Sequence, residues 1–87
     1  MAKKILIVDD EKFNTTIILN MLRLSGDNYS FLTAEDGKTA CDIAMKELPD
    51  LILMDWQMPI MTGIDAVKFL KKQEQTRDIP IIMETAL

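Results

Sequence analysis

The sequence predicts an α/β domain built on a mostly parallel sheet, and three observations carry that prediction. Two short apolar runs, Ile5 to Val8 and Leu51 to Met54, sit between polar boundaries, as strands buried on both faces do. Strand-like and helix-period segments alternate along the chain, the pattern of βα repeats. Both runs stop abruptly at carboxylates, Asp9-Asp10 after the first and Asp55 after the second. Open α/β sheets place their sites at that edge.

The first strand is expected at about Lys4 to Asp9. A helix follows from about Lys12 to Ser25, with Phe13, Ile17 and Met21 one turn apart and Ile18 and Leu22 beside them, an apolar stripe suited to covering a sheet. Gly26 suits the helix C-terminus. A second strand spans Tyr29 to Ala34. Asp36 is placed to cap the next helix, whose inner face is Ala40, Ile43 and Ala44 and which ends before Pro49. Leu51 to Asp55 is the third strand. After a loop through Pro59, Thr62 caps a helix bearing Ile64, Val67 and Leu70, with a solvated Lys71-Lys72-Gln73-Glu74 end. Ile79 to Thr85 is the fourth strand, with Pro80 at its start, where a missing N–H is tolerated.

The 87 residues make one domain at most, one that buries only about 60 to 65% of its unfolded surface. Net charge is −4, from ten basic and fourteen acidic residues, which argues against nucleic-acid binding and favours solubility. Cys41 is the single cysteine and histidine is absent, so neither a disulfide framework nor a Cys/His zinc site is available. Cys41 reads as a small buried apolar residue on a helix. The basic start, Met1 to Lys4, precedes an apolar run too short for a signal peptide or membrane span. A reducing cytoplasm is the expected setting.

Parallel strands would bring Asp9, Asp10 and Asp55 together, where they repel one another. A hard cation such as Mg²⁺, which takes oxygen ligands and keeps several waters, relieves that repulsion. A carboxylate is also a nucleophile able to form an aspartyl phosphate. Phosphoryl transfer depends on positioning and charge neutralisation more than on covalent help, so an aspartate beside Mg²⁺ supplies most of what a reactive phosphodonor requires.

The segments KKILIVDDE, PDLILMDWQMPIMTG and IPIIMETA resemble the receiver domain of two-component response regulators. That resemblance covers the whole chain and about the first two-thirds of such a domain. It implies a flavodoxin-like receiver fold with sheet order 2-1-3-4, here a single partial receiver domain over residues 1–87, lacking helix 4, strand 5 and helix 5. It implies Asp55 as phosphoacceptor, Asp10 as a direct Mg²⁺ ligand, Asp9 as a ligand reached largely through water, and the Gln57 backbone carbonyl as the last protein ligand. Thr85 matches the switch hydroxyl, and Met58, Pro59 and Gly63 the loop that shapes the site. The implied partner is a sensor histidine kinase or histidine phosphotransfer protein, with no nucleic acid or membrane. The domain is then no enzyme beyond catalysing its own phosphorylation and dephosphorylation.

Several departures accompany the resemblance. The lysine and aromatic switch residue of a fifth strand lie beyond Leu87, so impaired phosphorylation is expected. Lys3 and Lys4 sit at the opposite end of the first strand, about 16 Å from the acids at roughly 3.3 Å per residue, and Lys12 is a poor substitute. An open fourth strand, with Ile81, Ile82 and Met83 as contacts, predicts a homodimer. Glu84 stands where receivers usually carry an apolar residue; at an edge it is expected to be tolerable or protective. Trp56, the single tryptophan, is expected at the surface beside the acceptor. The main rival is a cut-down receiver acting only in protein interaction or dimerisation. A Mg²⁺-dependent phosphatase is disfavoured by Gln57, which stands where that chemistry wants a second acid. A nucleotide-binding fold is disfavoured by the lack of a Gly-rich phosphate loop.

Overall fold

The structure is a computed structural model that describes residues 3–26, 28–56, 58 and 60–84. Gln57, Pro59 and Thr85, each named above, lie outside the described residues. The elements in chain order are β1 (Lys3–Val8), α1 (Lys12–Leu24), β2 (Tyr29–Ala34), α2 (Gly37–Glu47), β3 (Leu51–Asp55), α3 (Gly63–Lys72) and β4 (Ile81–Glu84). All neighbouring strands pair parallel, in the order β2-β1-β3-β4.

That order places the helices. Parallel crossovers are right-handed. The step from β1 to β2 runs one way across the sheet, and the steps to β3 and β4 run the other. α1 therefore covers one face, and α2 with α3 the opposite one. On the two-helix face Leu6, Val8, Ile52 and Met54 pack with Ala40, Cys41, Ala44, Ala66 and Leu70 in one buried cluster. Ile5 and Ile7, buried but outside that cluster, alternate to the α1 face.

Local chemistry sets the helix ends. Asp36 accepts from the Thr39 N–H at 2.7 Å and from the Thr39 hydroxyl at 3.1 Å, and Thr62 accepts from the Asp65 N–H at 3.2 Å, so both expected caps form. α2 stops at Leu48, which turns left-handed ahead of Pro49 because a residue before proline is pushed out of helical geometry. Gly26 follows α1 at φ +82°, a conformation that suits glycine. β4 begins two residues later than expected. The Ile79 N–H is drawn back to the Thr76 carbonyl at 3.0 Å, and the ladder starts at the Pro80 carbonyl, which accepts from Ile52.

Three expected burials fail. Phe13 is 73% exposed and Met21 is also exposed; no residue of α1 is fully buried. Among the described residues α1 is the only helix on its face, so its residues are at most partly covered, Ile17, Ile18 and Leu22 among them. Ile64 is exposed too, because α3 turns Gly63, Ala66 and Leu70 inward instead. Among the described residues no helix is long and apolar enough to cross a membrane.

Candidate metal centre

The register brings the acids together. Val8 pairs with Met54, so Asp9 comes level with Asp55 one residue further on. Asp9 and Asp55 are 3% and 2% exposed, and Asp10 is exposed. One carboxylate oxygen from each of the three lies within 4.8 Å of the others. Ligands of an octahedral Mg²⁺ ion stand about 3 Å apart when adjacent and about 4.2 Å when opposite, so the three oxygens must draw closer to share one ion. The donor set is all oxygen, the chemistry that hard cations select.

Backbone contacts hold the acids in place. The Asp9 N–H continues the sheet to the Ala34 carbonyl at 3.0 Å, while Asp9 Oδ1 accepts from the Glu11 N–H at 2.8 Å. This turn fixes one Asp9 oxygen against the chain and so limits rotation of the carboxylate. On the far side, the Gly63 N–H donates to the Trp56 carbonyl at 3.1 Å. The Gly63 Cα lies so close to the Asp55 carbonyl that a Cβ there would collide with it. Met58 is buried, Trp56 is exposed as expected, and Ile60 is 84% exposed at φ +73°.

The lysines stand where the sequence places them. Lys4 is held at the opposite end of β1: its N–H donates to Asp50 Oδ2 at 2.8 Å and its ammonium to the Glu47 carbonyl at 3.4 Å. The Lys12 ammonium faces Glu35 Oε1 at 3.8 Å, on the β2 side of the molecule. The Gln57 carbonyl and the Thr85 hydroxyl lie outside the described residues.

Glu84 stands on the expected edge strand but is not fully solvated. It pairs with Asp55 in the β3–β4 register and is half-buried. Its Oε1 is buried without a hydrogen-bond partner among the described residues. Burial, and then the charges of Asp9 and Asp55, push its carboxyl above the usual value. Among the described residues its strand is an edge, yet the side chain is half-buried and one of its carboxylate oxygens is fully buried, within reach of the charges of Asp9 and Asp55. Counting register across three strands finds this neighbour; reading β4 in isolation does not.

Residues 5–87 match the family model of the response regulator receiver domain. The polar-differentiation response regulator DivK of Brucella ovis is 38% identical over 86 residues, covering 99% of this chain and 68% of the relative. The N-terminal domain of a response regulator receiver protein from Methanoculleus marisnigri superposes with a TM-score of 0.84 at 34% identity, covering 92% of this chain and 63% of that one. The receiver domain of the sensor histidine kinase PA1611 from Pseudomonas aeruginosa, solved with a magnesium ion coordinated in its active-site cleft, gives a TM-score of 0.87 at 36% identity, covering 95% and 66%. The chain thus spans slightly under two-thirds of these two structures.

Proposed function

Because the chain belongs to the response regulator receiver domain family, we propose that it is the phosphoacceptor module of a two-component phosphorelay. Asp55 accepts a phosphoryl group from a phosphohistidine on a sensor histidine kinase or a phosphotransfer protein. The carboxylates of Asp9, Asp10 and Asp55, with the Gln57 backbone carbonyl, would hold Mg²⁺. The bound ion supplies charge neutralisation for the anionic phosphoryl oxygens. A cytoplasmic setting follows from this reading.

The step asked of the protein is small. An Asp55 carboxylate oxygen attacks phosphorus, the new P–O bond forms, and the donor's P–N bond breaks. The electron pair leaves on the imidazole nitrogen, which takes a proton from solvent. Asp55 is supported in this role by its place at the end of a fully paired strand, where the backbone holds it still. Thr85, thirty residues further along, has the role of the hydroxyl that turns to the phosphoryl group. The domain acts on no other substrate, so its chemistry is limited to gaining and losing its own phosphoryl group.

The observation that carries this reading is the gathering of three carboxylates from two strands within 4.8 Å. The test is incubation with acetyl phosphate and Mg²⁺, followed by intact-mass analysis. One phosphoryl group should be added to the wild-type chain, and none to Asp55→Asn or after Mg²⁺ is chelated. Equal labelling of Asp55→Asn refutes Asp55 as the acceptor.

A further inference from the structure

We infer that Glu84 is a fourth acidic member of the divalent-cation site, one that tightens cation binding while weakening the cation-free fold. The inference rests on the metal reading above and extends it to a residue outside the three-carboxylate cluster.

Three observations converge on Glu84. The ladders place Asp9, Asp55 and Glu84 in one row across β1, β3 and β4. Residues level with one another on neighbouring parallel strands share a face of the sheet, about 4.8 Å apart. Glu84 Oε1 is buried with no hydrogen-bond partner among the described residues, although buried polar atoms are nearly always paired. A groove of about 530 Å³ between α1 and β4 is lined by Asp9 and Glu84 together. Asp9 and Glu84 thus border one space, which Asn14, Ile17, Ile18, Met21 and Met83 also line.

The physical consequence has two signs. With no cation bound, Glu84 adds a poorly solvated negative charge beside two others, and each of those terms opposes folding. With a dication at the cluster, the same charge becomes attractive. Direct ligation is unnecessary: at a separation of about 6 Å, even with the dielectric constant of water, one unit charge changes the affinity for a dication about tenfold. Replacing Glu84 by its neutral isostere should therefore strengthen the cation-free protein and weaken its hold on the ion.

The experiment compares the 87-residue chain with its Glu84→Gln variant, using thermal unfolding in chelator and Mg²⁺ titration followed by Trp56 emission and calorimetry. Glu84→Gln should unfold at a higher temperature without metal and bind Mg²⁺ about tenfold more weakly. A purely structural Glu84 would shift the unfolding temperature alone, so unchanged Mg²⁺ affinity overturns the inference. If the wild-type chain fails to bind Mg²⁺, the underlying metal reading fails with it, an outcome distinct from equal binding by both proteins. Glu84→Leu, which removes the charge at similar volume, provides the same comparison if the amide variant does not fold.

Discussion

Gly63 packs directly on the carbonyl of Asp55, and its N–H closes the intervening loop on Trp56 at 3.1 Å. The first turn of α3 is thereby pressed against the end of β3. Gly63→Ala has no space for its methyl group and must push α3 away from the strand. We expect a loss of about 1–3 kcal/mol, together with a weaker Mg²⁺ response, because Asp55 moves with its backbone. Urea unfolding measures the first effect and Trp56 emission the second. Wild-type values for both would show that the contact relaxes freely.

Asp10 is the exposed member of the cluster, so its removal separates binding from folding. Asp10→Ala should leave the metal-free unfolding midpoint at or slightly above the wild-type value, since it removes one repelling charge. The same substitution should abolish the Trp56 emission change on adding Mg²⁺. A preserved emission change would remove Asp10 from the ligand set.

Thr76 is fully buried, and its hydroxyl donates to the Leu70 carbonyl at 2.7 Å. That bond ties the turn after α3 to the end of the helix, ahead of β4. Thr76→Val keeps the shape and removes the donor, and Leu70 still accepts from the Gln73 N–H at 3.2 Å. The loss should therefore stay modest, about 1 kcal/mol, seen as a lower urea midpoint with an unchanged denaturant slope.

Cys41 is buried, with its Sγ 3.9 Å from both Met61 Sδ and the Ala66 carbonyl. Burial first, and then the charge of Asp42, push its thiol above 9.0. The folded chain thus holds this proton more tightly than the unfolded chain does. Stability from this source is complete below pH 9.0 and is lost as the pH rises through the raised folded value. Denaturant titrations across that window should show a smaller alkaline fall for Cys41→Ala than for the wild type. Native-state alkylation of the thiol should also be much slower than in denaturant.

Local pattern carried much of this protein. The apolar runs of β1 and β3, the Asp36 and Thr62 caps, and the stop before Pro49 each depend on residues within a few positions, and each forms as its chemistry dictates. The acid cluster was legible for a related reason: two strands that end in carboxylates, placed next to each other in a parallel sheet, must bring those carboxylates to one edge. Burial on α1 was not legible in this way. Phe13 and Met21 have the right spacing for a buried face, but among the described residues no second helix lies on that side of the sheet to cover the flanks of α1.

The sequence by itself determined which segments become strands and helices, and which carboxylates end them, because backbone sterics and hydrophobic period act over short distances. Only the tertiary structure decided that Glu84 lies level with Asp55 and Asp9, and that Gly63 presses on the end of β3. Both relationships depend on the register between strands and on the hand of the crossovers, which bring together residues far apart in the chain.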